Sequence, residues 1–157
     1  MKLGVGSDAY GYHLKECIKK HLAEHKRDCD DIGVLSPHSS EPYYDVASKM
    51  AEKVANGQFD RGILVCGTGM GMAIIANKTK GVYASVCESA YAAQKSRAIN
   101  NSNILTMGEF IVAPQMAGEM VDVWLKTELA QGWPGEEASW LENSMNKIRE
   151  IEERRFK

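Results

Sequence analysis

A glycine-rich turn that follows a cysteine is the segment of this sequence best suited to chemistry. Residues 63–65 predict a buried strand, Cys66 stands at its carboxyl end, and Gly67-Thr-Gly-Met-Gly71 leads into the helix-forming run 72–77. Glycines let the backbone adopt positive φ angles and let a ligand approach the main chain. Free N–H groups at the start of a helix favour a bound anion, and a thiol beside them is expected to carry thiolate character. The pattern therefore places a potential base or nucleophile next to a potential oxyanion site.

The same segment has a purely structural interpretation, in which the glycines form a tight turn and Cys66 packs as a small apolar residue. Two nucleotide-binding motifs do not fit it. A dinucleotide fingerprint is expected after the first strand, and this turn follows the third predicted strand. A P-loop ends in Gly-Lys-Ser/Thr, which is missing here.

The elements that must position this turn alternate along the chain as strand and helix. Apolar runs predict five strands, and periodic runs predict the helices that follow them. The strands are expected at 2–7, 27–33, 63–65, 81–87 and 103–107, and the helices at 12–25, 43–56, 72–77, 88–100, 114–129 and 136–157. This order predicts one domain, residues 1–157, with a three-layer Rossmann-like α/β fold around a five-stranded parallel sheet.

Ligands of such sheets bind at the carboxyl ends of the strands, near the point where the strand order reverses. Asp8, Cys66, Cys87 and Gly108 are all predicted at or near such ends. The topology thus predicts a site there independently of the chemistry.

A Pro/Gly break separates a last, highly charged helix from the rest of the chain, so that residues 132–157 form a C-terminal extension. Few positions of this helix are apolar. We expect it to pack on a partner subunit, and packing on its own domain is the alternative that the sequence leaves open.

The composition of the chain argues against several classes of protein. The 157 residues carry a formal net charge of −2, so no surface for nucleic acid or acidic lipid is expected. No apolar run approaches the ~20 residues of a membrane helix, and the amino terminus does not resemble a signal peptide. The four cysteines are far apart in the chain, which predicts reduced thiols and a cytoplasmic protein.

His21 and His25 stand four residues apart on a predicted helix and could hold a metal ion together. Lysines flank this pair, so a solvated helix face is the favoured interpretation. No metal site is predicted.

Segments in the same order over nearly the whole chain resemble the ribose-5-phosphate isomerase B family, which includes the galactose-6-phosphate isomerase subunits. Residues 6–11 are similar to the family motif Gly-Ser/Cys-Asp-His-x-Gly. Residues 66–71, together with 76–78, are similar to Cys-Gly-Thr-Gly-x-Gly followed by Ala-Asn-Lys. The segments are Gly6-Ser-Asp-Ala-Tyr-Gly11, Cys66-Gly-Thr-Gly-Met-Gly71 with Ala76-Asn-Lys78, Tyr91-Ala-Ala-Gln-Lys-Ser-Arg97, Asn100, Asn103, Met107-Gly108 and Glu152-Glu-Arg-Arg155.

The resemblance implies an aldose–ketose isomerase of sugar phosphates that needs no metal and no cofactor. Such an enzyme moves a proton between C1 and C2 through a cis-enediolate. By the match, Cys66 is the carbon base, and Thr68 binds the substrate oxygens or relays their proton. The N–H groups of Gly67, Gly69 and Gly71 are then expected to stabilise the enediolate.

The resemblance also implies the residues that hold the substrate. Asp8 and Asn100 are expected to bind hydroxyls, and Tyr43 stands where the family often has a site tyrosine. Because family sites lie at a dimer interface, Asn100 is expected from a neighbouring subunit, in a dimer or tetramer with shared active sites. The alternatives are a capping role for Asp8 and a packing role for Tyr43.

Three departures from the family pattern bear on the substrate. Ile99 replaces the histidine that opens the sugar ring, and Ala9 replaces the histidine after the first-strand aspartate. The arginines that grip phosphate are missing after the fifth strand and before the last helix. Residues that could contact the phosphate or tail instead are His13, Lys78 and Arg97, or Arg149, Arg154 and Arg155 from a partner subunit.

These observations favour an isomerase of an open-chain or short sugar phosphate, a tetrose or a pentose. One alternative is a ribose-5-phosphate or hexose-6-phosphate isomerase proper that takes its sugar already opened. Another is a non-catalytic sugar-phosphate-binding subunit. The intact Cys66 and Thr68 argue against the non-catalytic alternative, and Ile99 and Ala9 keep it open.

Overall fold

Five parallel strands lie between two layers of helices in a computed structural model that describes residues 1–156. The strands are β1 (Leu3–Ser7), β2 (Asp30–Asp31), β3 (Arg61–Cys66), β4 (Ala84–Val86) and β5 (Ile104–Gly108). The helices are α1 (Tyr12–Glu24), α2 (Tyr43–Ala55), α3 (Met70–Ala76), α4 (Ala90–Asn100), α5 (Pro114–Lys126) and α6 (Gly135–Arg155). The predicted three-layer α/β fold is confirmed. Lys157, the last residue of the predicted C-terminal helix, lies outside the described residues.

The strand order β2-β1-β3-β5-β4 places the predicted site at the centre of the sheet. Ser7 pairs with Val65, and Cys66 pairs with Gly108, so the carboxyl ends of β1, β3 and β5 lie side by side. The order reverses between β1 and β3, which is where open α/β sheets bind ligands. Cys87 follows the edge strand β4 and is buried.

Alternate side chains of the central strand β3 pack on opposite faces of the sheet. Ile63 and Val65 contact the layer of α1, α4 and α5, whereas Leu64 and Cys66 contact the layer of α2 and α3. Trp124 anchors the first layer, because it is fully buried and its Nε1–H donates to Ser102 Oγ at 2.8 Å. The thiol therefore points towards α2 and α3.

Both edge strands are shorter than predicted, and polar side chains make hydrogen bonds at each of them. β2 covers two residues, and the Oδ2 atom of Asp31 accepts hydrogen bonds from Lys15 and Lys19 at 2.7 Å. Beside β4, the side chain of Asn77 donates to the Ala84 carbonyl and accepts from its N–H, both at 2.8 Å.

The C-terminal helix α6 packs on its own domain. Leu141 and Met145 are buried, and Glu152 accepts hydrogen bonds from the Tyr83 hydroxyl at 2.9 Å and the Gly81 N–H at 3.0 Å. Burial and the bond to Glu152 raise the pKa of Tyr83 to about 12. Trp140 on the same helix stays 67% exposed, so a partner subunit could still cover it. Within residues 1–156, every helix is too short or too polar to cross a membrane.

Candidate active site

The glycine turn after β3 aims a backbone donor at the Cys66 sulfur. The Gly69 N–H donates to Sγ at 3.1 Å, and this bond stabilises negative charge on the sulfur. Gly69 has a φ of +78°, and a Cβ at this position would come within 2.7 Å of the Met107 backbone. Only glycine fits these two constraints. Gly69 thus positions the Cys66 sulfur and does not itself line the cavity described next.

A cavity of about 320 Å³ opens beside the sulfur, a size that suits a small ligand. Most of the residues predicted for the site meet in its wall. The lining residues are Asp8, Tyr10, Tyr43, Cys66, Gly67, Thr68, Gly71 and Phe110. Because Cys66 is 7% exposed and lines this space, the thiol is within reach of a ligand rather than sealed in the core.

Asp8 lies where β1 ends and both caps the following turn and lines the cavity. Its Oδ1 atom accepts the N–H groups of Tyr10 at 3.0 Å and Gly11 at 3.1 Å, so the predicted capping role is present. Burial raises the pKa of Asp8; the two backbone bonds oppose this shift, and the charge of Glu109 adds to it. Both capping bonds fall on one carboxylate oxygen, and within residues 1–156 the other oxygen accepts no hydrogen bond.

Aromatic rings hold the glycine turn from two sides. A Cβ at Gly71 would lie 2.7 Å from the Tyr43 ring, and a Cβ at Gly67 would lie 2.6 Å from the Phe110 ring. The ring of Tyr10 meets Phe110 edge to face at 6.2 Å. Tyr43 therefore packs against the turn and lines the cavity at the same time.

Sequence reasoning missed Tyr10 and Phe110 as lining residues. A signal for Phe110 was present, because it occupies the segment after the fifth strand where the resembled family has an arginine. Glu109, its neighbour, is occupied elsewhere: its Oε2 accepts the Leu14 N–H at the start of α1, at 2.9 Å.

Asn100 does not line the Cys66 cavity of its own chain. It is exposed at the end of α4. Its neighbour Ile99 lines a second, apolar cavity of about 480 Å³, together with Trp133, Trp140 and Leu141. Within one chain, Asn100 is therefore not part of the wall of the Cys66 cavity.

Arg97 was expected as a possible phosphate contact, and the structure corrects this. The guanidinium is buried and donates to the Ser102 carbonyl at 2.7 Å and the Thr127 carbonyl at 3.3 Å, and its Nη2 lies 3.5 Å from Glu128. Burial, together with the neighbouring charge of Arg61, lowers the pKa of Arg97 to about 10. Its role is to hold the segments after α4 and α5 together.

The other candidate anion contacts lie outside the Cys66 cavity of their own chain. His13 is exposed near the start of α1. Arg149 donates to Asn146 Oδ1 at 2.9 Å, and Arg154 donates to the Glu150 carbonyl at 3.3 Å, both on α6. Among residues 1–156, no lysine, arginine or histidine lines the Cys66 cavity. Within one chain, an anionic tail in this cavity would meet neutral groups and one aspartate.

Comparison with known proteins assigns the chain to a family. The profile of the Ribose/Galactose Isomerase family matches residues 3–139, which is most of the chain. The chain belongs to the ribose/galactose isomerase family. The matched range contains every residue of the Cys66 cavity.

Members of this family match the chain over most of its length. It is 45% identical over 153 residues to a 4-deoxy-4-sulfo-D-erythrose isomerase from Clostridium sp. (strain MSTE9), covering 98% of this chain and 96% of the relative. It is 40% identical over 130 residues to D-erythrulose-4-phosphate isomerase 2 from Mycolicibacterium smegmatis, covering 82% of this chain and 86% of the relative. The structure of ribose-5-phosphate isomerase B from Clostridium thermocellum superposes on this chain with a TM-score of 0.87 at 41% identity. The match covers 98% of this chain and 99% of the other. The protein is therefore an isomerase of sugar substrates, as the resemblance implied.

Proposed function

We propose that this isomerase interconverts the aldose and ketose forms of a four-carbon sugar that carries a sulfonate on C4, with Cys66 as the carbon base. The observation that carries the proposal is the position of the Cys66 sulfur, in the wall of an open cavity and 3.1 Å from the Gly69 N–H. A thiolate held there can reach a carbon-bound proton of a small ligand.

The reaction begins when the Cys66 thiolate takes the proton from C2 of the aldose. The electron pair of that C–H bond forms the C1=C2 double bond, and O1 becomes negative. Within residues 1–156, the N–H groups of Gly67 and Thr68 donate to no acceptor, so they are free to stabilise O1. The Thr68 hydroxyl passes the proton from O2 to O1, and the Cys66 thiol returns its proton to C1, which gives the ketose.

A four-carbon substrate explains Ile99. An aldotetrose can close a five-membered ring only through its C4 oxygen, and a sulfonate bonded directly to C4 leaves no such oxygen. The substrate therefore stays open, and no acid is needed to open a ring. Ribose 5-phosphate, by contrast, is mostly cyclic, and the aliphatic side chain of Ile99 cannot transfer a proton.

Within one chain, residues 1–156 supply no cationic side chain to the lining of the cavity, which favours a sulfonate over a phosphate. A sulfonate carries one negative charge at pH 7, whereas a phosphate monoester carries about 1.5 to 2 and calls for cationic partners. A further observation agrees: the relative named for a sulfonated tetrose is 45% identical to this chain over 98% of its length.

In this proposal, a second copy of the chain completes each site. Asn100 is exposed and lies outside the cavity of its own Cys66, and the nearby Trp140 is an apolar side chain left 67% exposed. A dimer that covers this surface lets Asn100 of one subunit bind substrate beside the Cys66 of the other. Arg149 or Arg154 could reach the tail in the same way.

The substrate assignment is tested with three sugars in D₂O: 4-deoxy-4-sulfo-erythrose, erythrose 4-phosphate and ribose 5-phosphate. We expect the sulfonated tetrose to have the highest kcat/KM, by roughly tenfold or more over the phosphate. A phosphate that is turned over equally well would reject the sulfonate but leave the cysteine base intact. Binding of the sulfonated sugar without proton exchange would instead favour the non-catalytic alternative.

A further inference from the structure

Three metal-ligating side chains come together where α1 packs on α5. His21 and His25 lie one turn apart around the end of α1, and Asp122 lies near the end of α5. One donor atom of each lies within 4.8 Å of the donor atoms of the other two. The prediction of a solvated helix face holds for His25, which is exposed. It is wrong for His21, whose side chain is only 25% exposed.

The His21 ring is turned towards α5, where its Nε2 atom lies against the Asp122 carboxylate. Gly118 makes room for this ring, because a Cβ there would lie 2.9 Å from Nδ1. His21 Nε2 is 3.1 Å from Asp122 Oδ2, yet neither the buried Nε2 nor the buried Oδ1 of Asp122 makes a hydrogen bond within the described part of the chain. Two ligands of one tetrahedral zinc ion are about 3.4 Å apart. The spacing therefore suits two ligands that converge on a shared ion.

His25 is oriented to give the third ligand atom. Its Nδ1 lies 2.8 Å from the carbonyl oxygen of His21 and donates its proton to it, which leaves the lone pair on Nε2. The two imidazole rings are 4.3 Å apart between centroids. Because His25 is exposed, its ring can adjust to the ion without disturbing the core.

We propose that His21, His25 and Asp122 bind a divalent transition-metal ion, with zinc as the best-fitting class. Two imidazoles and a carboxylate are a common ligand set for zinc, and they leave a fourth position for water. The site is remote from the Cys66 cavity, because α1 and α5 both start at the carboxyl edge of the sheet and end at the opposite edge. The ion ties α1 to α5 and takes no part in the reaction at Cys66.

The site is tested on the full chain without an affinity tag, by titration with Zn²⁺ while the ¹⁵N resonances of the imidazole rings are recorded. We expect one ion per chain, shifted Nε2 resonances of His21 and His25, and a melting temperature that rises with Zn²⁺ concentration. Asp122→Asn and His25→Asn should each weaken binding by roughly tenfold or more. His38→Asn, which alters an exposed histidine elsewhere, should bind as the wild type does.

Several results would overturn the proposal. One is Zn²⁺ binding that leaves the imidazole resonances of His21 and His25 unshifted. Another is binding of equal strength in the Asp122→Asn and His25→Asn variants. A third is the absence of saturable binding. His25 is exposed, so the His25→Asn variant is expected to fold. Isomerase activity should be unchanged in it, which separates this site from the one at Cys66.

Discussion

At the scale of single residues, the surroundings of Asp8 shift its pKa in two opposite directions. Two backbone N–H groups stabilise its carboxylate, while burial at the cavity wall disfavours the charged form and raises its pKa. In the charged form, this carboxylate therefore lowers the stability of the folded state. Asparagine can accept the same two hydrogen bonds without the charge.

These opposing effects predict that the difference in the free energy of unfolding between the wild type and the Asp8→Asn variant depends on pH. The folded-state pKa of Asp8 lies above the ordinary value of 3.8, so the wild type loses stability as the pH rises through that folded-state pKa. We expect the free energy of unfolding of the variant, relative to the wild type, to increase between pH 4 and pH 7. Urea denaturation at several pH values measures this difference, and a difference that falls with pH would refute the assignment.

Some residues of the site could be identified from the sequence and others could not. Cys66 and Asp8 were predictable because parallel strands bring their carboxyl ends to one edge. Arg97 was not, because its partners are backbone carbonyls of Ser102 and Thr127, whose placement depends on the path of the chain after α4 and α5. The pairing of His21 with Asp122 likewise arises only when α1 and α5 pack.

At the scale of elements, the turn between β3 and α3 tolerates no side chain at Gly69. Gly69 has a φ of +78° and no room for a side chain, because the Met107 backbone lies against it. Gly81 has nearly the same φ, +79°, but nothing lies within 4 Å of the position where a Cβ would stand. Alanine substitutions at these two glycines therefore separate two free-energy costs: that of the left-handed backbone conformation, and that of the steric contact between a Cβ and the Met107 backbone.

We expect Gly81→Ala to lower the free energy of unfolding by about 1–2 kcal/mol, the cost of a left-handed conformation. Gly69→Ala should cost at least about 2 kcal/mol more, because the added methyl group meets rigid backbone. It should also reduce activity, since the Gly69 N–H positions the Cys66 sulfur. Chemical denaturation of both variants provides the comparison, and equal losses would show that the turn can relax.

The interior strands were predictable in position and the edge strands were not. β3 and β5 are buried and mostly apolar, and a short apolar run is the sequence pattern that predicts a buried strand. Residues 27–33 and 81–87 form only short strands, because an edge strand has a single neighbour and polar side chains compete for its backbone. The site was little affected by these errors, since it depends on β1, β3 and β5.

At the scale of the whole molecule, the separation of Cys66 and Asn100 within one chain leads to a prediction about the assembly. If each site combines Cys66 of one subunit with Asn100 of the other, then Cys66→Ser and Asn100→Ala are each inactive as pure proteins. Unfolding and refolding them together in equal amounts should form mixed dimers with one intact site. About a quarter of all sites are then restored.

Activity of the mixture is compared with that of each variant refolded by itself. Recovery to about a quarter of the wild-type rate supports shared sites. If the mixture gains nothing although mass spectrometry detects mixed dimers, each chain must carry its complete site.

The central claim is that Cys66 removes and returns the carbon-bound proton, and the most direct measurement is proton exchange with solvent. In D₂O, the wild type should incorporate deuterium at C1 of the ketose. Cys66→Ser should slow this exchange by roughly 10²–10⁴-fold while folding and substrate binding persist. Cys17→Ser, at an exposed cysteine on α1, should leave the rate unchanged. Exchange in Cys66→Ser within a few-fold of the wild-type rate would contradict the account.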